Sequence, residues 1–568
     1  MKNHFQKLPA NIKNITLTIN ISIAFALFTQ GCSFIETTSD IEQASKPQPY
    51  VQQNHLPQHT QQAIKPNIVV ILADDLGYGD LGVYNRDSKI PTPNMDAIAK
   101  QGIRFTDAHT PSAVCTPTRY GLLTGRYAWR SRLKRGVLFG ESPALIEQGR
   151  MTIQSMLQDK GYITAGIGKW HLGLGSGLGN NGKTDYSQAL NPGPVSSGFD
   201  YYFGIPASLD MPPYLYFENE KVVQAPTAQV SRGKLARYGG KGFWREGAIA
   251  PDFSHLEVLP TLANKAEAYI AERGKQPQQP FFLYMPLPSP HTPWIPKAEF
   301  VGKSNAGVYG DFVYQSDDVI GRIMKALKDN GLADNTLVIV TSDNGSHWKT
   351  TDIEEFNHLA NAHWRGMKAD IYEGGHRVPF IASWPKNIPA GSVSDENLSL
   401  VDLLATFAAI VDSDLPDNAG EDSYNQLATL MGDKTQHNVR EATVYHAVGG
   451  MFAIQQGPWK YIKGQTSGGF GSKAQRRKLL KENPNLPAGQ LYNLATDPGE
   501  TTNLFLEKPE KVALLKALLK RYQEQGYSRP RSVDDKSINK EVVDEKSIND
   551  ESINKKSVNQ QLTNKEAN

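Results

Sequence analysis

The chain has 568 residues, 39% of them hydrophobic, and a formal net charge of +2. Its isoelectric point is about 8.2 and its mean hydropathy −0.45, the profile of a soluble globular protein with polar extensions. So balanced a charge gives no electrostatic footprint for nucleic acid or a strongly charged partner, and the length allows two to four domains.

At the N-terminus Lys2, Lys7 and Lys13 precede a stretch with no charge until Glu36; within it Ile21 to Phe28 is mostly apolar and Thr29-Gln30-Gly31-Cys32 follows. Basic, then apolar, then small residues is the layout of an export signal, here residues 1–32, and the span is too short and polar for a transmembrane helix. Gly31-Cys32 resembles a bacterial lipobox. That resemblance implies acylation of Cys32 (palmitate among the chains), a lipid anchor, and an outer-membrane address on the periplasmic or the surface face. Thr29 stands where such motifs carry Leu, and plain secretion is the alternative. Residues 33–65, rich in Gln, Pro, Ser and Thr, read as a disordered tether.

Folded sequence begins with Asn67-Ile-Val-Val-Ile-Leu-Ala73, a β-branched run suited to a strand buried on both faces of a parallel sheet. Further strands are expected at Ile163 to Ile167, Phe281 to Met285 and Leu337 to Thr341. Helical stripes lie between them: Leu259, Leu262, Ala266, Tyr269 and Ile270, then Phe312, Val319, Ile320, Ile323 and Leu327, closed by Asn330-Gly331. The alternation predicts an α/β fold over 66–430, with a large, mostly parallel central sheet sandwiched by helices. Beyond about Ile410, strands at Ala442 to His446, Met451 to Gln455 and Trp459 to Lys463 crowd together. They predict a smaller antiparallel sheet over 431–530 with a helix near Lys511 to Gln523. From 531 to 568, Ser-Ile-Asn or Ser-Val-Asn recurs among charges and cannot build a core, so this stretch reads as a disordered tail.

Several strings carry chemistry. Asp74-Asp75 and Asp343-Asn344 each end an apolar strand, where ligand sites of open α/β sheets gather. Adjacent carboxylates repel unless a cation lies between them, and a hard-oxygen set suits Ca²⁺ or Mg²⁺ rather than Zn²⁺. Taken singly, each pair is more often a turn or a helix cap. Cys115-Thr116-Pro117-Thr118-Arg119 places a cysteine at a helix N-terminus, Pro117 in the first turn, and Arg119 one turn on as an anion clamp. In Gly168-Lys169-Trp170-His171-Leu172-Gly173, an extended backbone would point Lys169 and His171 to one side. Ser289-Pro290-His291-Thr292-Pro293 holds a histidine between prolines, Phe203 to Asp210 contains Ser208, and Lys368 precedes Tyr372-Glu373-Gly374-Gly375-His376-Arg377.

In order and together, these strings resemble the type I sulfatases, of the alkaline phosphatase superfamily; Leu491-Tyr492-Asn493-Leu494 with Asp497-Pro498-Gly499-Glu500 resembles the same family's C-terminal motif. The resemblance covers about Pro66 to Arg521. It implies a sulfuric ester hydrolase in which Cys115 is oxidised to Cα-formylglycine (3-oxoalanine) by a formylglycine-generating maturation enzyme, the hydrated aldehyde being the nucleophile. Asp74, Asp75, Asp343, Asn344 and the modified Cys115 would hold the metal, with Ca²⁺ favoured over Mg²⁺. Arg119 would hold the diol; Lys169, His291 and Lys368 would bind the sulfate, with His291 or Lys368 protonating the leaving oxygen; His171 would be the base. Ser208 would touch the substrate, and Glu373, Gly374, Gly375 and Arg377 would shape the loop behind Lys368. Family members often carry His where Leu209 stands, which suggests a different substrate rim.

With Cys32 acylated and Cys115 modified, no thiol would remain for a disulfide. The exported address and Met211-Pro212-Pro213-Tyr214 favour a sulfated polysaccharide or oligosaccharide over a small aryl ester. Phosphonate monoester and phosphodiester hydrolases of the same superfamily are the nearest alternative. A glycan-binding lipoprotein on the same fold is a more distant one.

Overall fold

The strand expected at the start of the folded body sets the architecture. β1 (Asn67–Ala73) is buried along its whole length and sits in the middle of a ten-stranded sheet. The computed structural model describes residues 65–175, 185–235, 242–435 and 439–531. The expected signal, Cys32, the tether up to residue 64 and the tail from residue 532 lie outside the described residues. Among the described residues no helix is long and apolar enough to cross a membrane.

The other strands of this sheet are β2 (Ile103–Phe105), β3 (Ile163–Lys169), β4 (Tyr201–Ile205), β5 (Phe217–Glu218), β6 (Lys221–Val222), β7 (Phe281–Pro286), β8 (Thr336–Ser342), β9 (Phe380–Ser383) and β10 (Ser392–Ser394). They lie in the order β10-β2-β9-β8-β1-β7-β3-β4-β5-β6. The five central strands, β8-β1-β7-β3-β4, run parallel, with antiparallel β9 and β5 on their flanks. This is the mixed, mostly parallel sheet that the sequence predicts. Register brings the C-terminal ends of the central strands level: Ala73 pairs with Ser342, and Leu72 with Pro286. Whatever follows those strands is therefore delivered to one edge.

Helices cover the sheet in two groups. α1 (Pro93–Gln101), α4 (Val258–Gly274) and α5 (Gly307–Asp329) pack together, as do α2 (Cys115–Thr124), α3 (Ile153–Asp159) and α6 (Leu403–Ile410). The predicted stripes face inward: Leu259, Leu262, Ala266 and Ile270 on α4 and Phe312, Val319, Ile320, Ile323 and Leu327 on α5 are buried, while Tyr269 is only partly so. α5 ends at Asp329 with Gly331 at φ +70°, the left-handed close expected of Asn-Gly.

A second sheet runs β11 (Thr443–His446), β12 (Phe452–Gln456), β13 (Trp459–Ile462) and β14 (Gln490–Asn493), antiparallel throughout. Between β13 and β14 the chain inserts α7 (Ser472–Glu482), an exposed helix of Lys, Arg and Gln that offers no apolar face to a sequence reading. α8 (Pro509–Gln525) buries Val512, Leu515, Leu519 and Tyr522 against this sheet, in one cluster with Tyr127 and Trp129 from just beyond α2. The smaller sheet thus shares a core with the turn that follows the cysteine-bearing helix.

Candidate active site

Cys115 is the first residue of α2, and Pro117 lies in its first turn, where a missing N–H costs nothing. Gly125 ends the helix at φ +61°, and a Cβ there would lie 2.9 Å from the Gly420 Cα, so only glycine closes this turn. Cys115 is 2% exposed, with Sγ 3.6 Å from Lys368 Nζ. Burial pushes its thiol up to about 12 although Lys169 and Lys368 pull the other way. A buried, protonated thiol is a weak nucleophile.

Arg119 lies one turn on. Its Nε and Nη2 donate to Asp343 Oδ2 at 2.9 and 2.7 Å, and its Nη1 donates to the Lys169 carbonyl at 2.8 Å. The fork therefore fixes β8's terminal carboxylate and the end of β3, rather than reaching Cys115 by a hydrogen bond.

Asp74 and Asp75 follow β1, and Asp343 and Asn344 follow β8; all four are buried. Lys169 pairs with Asp74, and Lys368 lies 2.6 Å from Asp75 Oδ1, to which Asn344 Nδ2 also donates at 2.7 Å. Burial alone would raise both aspartates. Lys169, His291 and Arg119 nevertheless hold Asp74 well below the usual carboxylate range, and Lys368 and His291 lower Asp75. For Lys368, burial favours the neutral amine, but Asp75 above all keeps it charged.

Oxygen atoms are left over. Asp74 Oδ1 and Asn344 Oδ1 are buried without a hydrogen-bond partner among the described residues. Orphaned carboxylate and amide oxygens beside a carboxylate pair fit a hard divalent cation, whose ligands are such oxygens. Donor atoms of Asp74, Asp75, Cys115 and His291 lie within 4.8 Å of one another. His291, expected only against the sulfate, thus joins the donor cluster, while one oxygen of Asp343 is committed to Arg119.

The remaining expected residues reach the same edge. β3 runs on through Lys169, past the expected end at Ile167, because Gly168 and Gly204 let β3 and β4 approach where a Gly204 Cβ would lie 1.8 Å from the Gly168 carbonyl. The chain then turns. His171 sits at φ +56°, so it is not the alternate residue of an extended segment, as expected; a left-handed turn brings it round. Its Nε2 donates to the Leu138 carbonyl at 2.8 Å, which leaves Nδ1 the unprotonated nitrogen, buried and without a partner. Burial, with Lys169 and Arg119 nearby, holds His171 well below its usual pKa and therefore neutral. His291 Nδ1 donates to the Thr292 carbonyl at 2.6 Å, turning Nε2 toward Asp75 at 3.8 Å. Ser208 is 2% exposed, and its hydroxyl has no partner among the described residues.

Three neighbours escaped the sequence reading. Asp210 Oδ1 lies 3.9 Å from His291 Nδ1, and Arg245 pairs with Asp210. His347 is partly buried close enough to feel Asp75, Lys368 and His291. Asp210 and His347 each stand within four residues of an expected site residue, Ser208 and Asp343, and that proximity was the available signal. Arg245, alone on a polar loop, offered none.

The family model described as Sulfatase matches residues 66–413, and one described as N-sulphoglucosamine sulphohydrolase, C-terminal, matches residues 364–527. An N-acetylgalactosamine-6-O-sulfatase of Bacteroides thetaiotaomicron is 35% identical over 81% of this chain and 93% of its own length. Human arylsulfatase A is 33% identical over 80% of this chain and 88% of its own. A solved structure from work on the metabolism of multiple glycosaminoglycans by Bacteroides thetaiotaomicron aligns with TM-score 0.71 and 33% identity, covering 81% of this chain and 100% of that one. A phosphonate monoester hydrolase of Agrobacterium radiobacter shares the fold at TM-score 0.52 and 19% identity, over 81% of this chain and 96% of that one.

Proposed function

We propose, because this chain belongs to the sulfatase family of sulfuric ester hydrolases, that it removes sulfate from a polysaccharide or oligosaccharide through a formylglycine made from Cys115. The observation that carries this reading is the convergence of Cys115, Lys169 and Lys368, all at least nine-tenths buried, on the Asp74-Asp75 pair and its orphaned oxygen. The glycan is supported by the relative that acts on N-acetylgalactosamine 6-O-sulfate.

The aldehyde hydrate supplies a hydroxyl nucleophile and a second hydroxyl through which sulfate can be expelled, an exit that a thiol lacks. Asp74, Asp75, Asp343 and Asn344 would hold the divalent cation, Ca²⁺ before Mg²⁺ for an all-oxygen set; when bound, that cation would supply Lewis acidity. The protein's own groups do the rest. Lys169 and Lys368 carry fixed positive charge toward the sulfate oxygens, where buried charges act most strongly. His291 Nε2, or Lys368, donates the proton to the leaving oxygen. His171 Nδ1, neutral and unpartnered, takes a proton from the Cys115 side. Arg119 acts through Asp343, keeping that carboxylate and the end of β3 in place. Ser208 offers its hydroxyl to the substrate.

The test is a turnover screen across defined sulfated saccharides, an aryl sulfate and an aryl phosphodiester, with mass spectrometry of the Cys115 peptide. Saccharide desulfation by protein carrying an aldehyde at Cys115 is expected. Preference for the phosphodiester would hand the site to the phosphonate hydrolase branch, and full activity with an intact thiol would end the formylglycine reading. We also propose the exported, lipid-anchored address; Cys32→Ser should move the protein from the membrane to the soluble fraction of its native host.

A further inference from the structure

Beside His291 lies a polar pair that the hydrolysis does not use. Asp210 is 3% exposed, and Arg245 Nη1 donates both to its carboxylate and, at 3.1 Å, to its backbone carbonyl. Arg245 is fixed as well as paired: its N–H donates to the Asp210 carbonyl at 3.1 Å, and Tyr214 Oη donates to the Arg245 carbonyl at 2.7 Å. Its guanidinium is about one third exposed and stands 5.8 Å from the ring of Phe139, itself 54% exposed.

One arm of this pair is used and the other is open. Asp210 Oδ2 takes Arg245, whereas Oδ1 is buried without a hydrogen-bond partner among the described residues. His291 Nδ1, at 3.9 Å, is beyond hydrogen-bond reach and already donates to the Thr292 carbonyl. The hydroxyl of Ser208, two residues away, is likewise buried and unpartnered. A carboxylate oxygen and a hydroxyl left bare next to the residue that faces the scissile ester are acceptors awaiting O–H donors. A bare aromatic face beside a guanidinium suits the C–H face of a sugar ring.

We infer that Asp210, Arg245 and Phe139 form the specificity subsite for the sugar unit that bears the sulfate. Asp210 Oδ1 accepts from a hydroxyl of that unit, Arg245 donates to an oxygen on the same ring, and Phe139 backs the ring. This rests on the glycan reading above. A substrate without ring hydroxyls leaves Asp210 bare, and sites built to bond a hydroxyl reject analogues that lack it.

The experiment compares kcat/KM on a sulfated disaccharide turned over by the wild type with kcat/KM on 4-nitrophenyl sulfate, for Arg245→Met, Arg245→Lys, Asp210→Asn and Phe139→Ala. The saccharide-to-aryl ratio should fall about 10- to 100-fold for Arg245→Met and Asp210→Asn, mostly through KM, with part of it returning in Arg245→Lys. Phe139→Ala, at an exposed position, should lower the ratio by about 3- to 10-fold with an unchanged melting temperature. A ratio that stays constant in all four variants overturns the subsite, even if both rates drop together, because that pattern marks support of His291 alone. A wild type that turns over the aryl sulfate but no saccharide overturns the glycan reading itself, and the subsite with it.

Discussion

Two buried ionic clusters share the loop 368–377 and close in different ways. The first gathers Asp74, Asp75 and Asp343 with Arg119, Lys169 and Lys368, and leaves Asp74 Oδ1 and Asn344 Oδ1 without partners. The second gathers Asp107, Glu373 and Glu500 with His109, His376, Arg377 and Lys460. There, Lys460 Nζ lies 2.8 Å from Glu373, 2.9 Å from Glu500 and 3.0 Å from His376 Nε2, and His376 Nδ1 meets His109 Nδ1 at 3.0 Å. His109, Glu373 and His376 have the ligand types of a metal site, but an ammonium already stands among them. Composition alone thus does not separate a binding site from a structural joint. Glu500 Oε1 also lacks a well-aligned hydrogen bond, but the Lys460 ammonium stands 2.9 Å from it; what separates the clusters is whether a fixed cation already faces the acceptor left over.

The sharpest break is Cys115→Ala. It should lower turnover of a sulfate ester by on the order of 10⁴-fold or more while leaving the melting temperature nearly unchanged, measured by steady-state kinetics and calorimetry. Retained turnover would remove the first cluster's claim to chemistry. Lys460→Met does the reverse. Stripping the ammonium from two buried carboxylates should cost about 3–5 kcal/mol in urea unfolding, and an unchanged midpoint would mean that the second cluster is not the joint described.

Chelation separates the clusters again. EDTA should lower turnover by about 10²-fold or more and lower the melting temperature, with Ca²⁺ restoring both better than Mg²⁺ in a concentration-dependent way. If Lys460→Met protein were instead the one that chelator destabilised most, the assignments would be exchanged.

The smallest effect is expected from His446, at the end of β11. Burial holds it at about 4, against an unfolded value near 6.5. Its contribution is fully present above pH 6.5 and is lost as pH falls toward 4, because the unfolded chain binds the proton first. That amounts to on the order of 3 kcal/mol over this window, and His446→Leu should flatten the fall in pH-dependent unfolding.

The first cluster was legible in sequence because four of its six members end a strand: Asp74, Asp75 and Asp343 follow apolar runs, and Lys169 closes another. Level register then does the assembly. The second was only half legible. Glu373 and Arg377 sit in a glycine-rich string that signals a shaped loop, but Lys460 is one lysine in an ordinary strand, and Glu500 belongs to a turn nearly 130 residues from its partner Glu373. Side chains that meet only through tertiary packing leave no periodic trace. Backbone handedness was equally hidden: His171 comes to the end of β3 through a left-handed turn, where strand alternation was expected to orient it. α7 escaped because nothing on it is buried.

The packing of the smaller sheet against the segment before Cys115 also sets a timetable. The His446 carbonyl accepts the Ser112 hydroxyl and the Ala113 N–H, both at 2.9 Å, and the Val448 N–H reaches the Ala369 carbonyl at 3.2 Å, so the smaller sheet seals the segment that leads into Cys115. That sheet is synthesised about 330 residues after Cys115, which at about 5–20 residues per second leaves roughly 17–66 seconds before the segment can be closed. On the formylglycine reading proposed above, an enzyme that oxidises Cys115 before this closure would have that interval in which to act. Slowing the ribosome downstream of Cys115 should therefore raise the aldehyde content of the finished protein, and tethering the smaller sheet early should lower it.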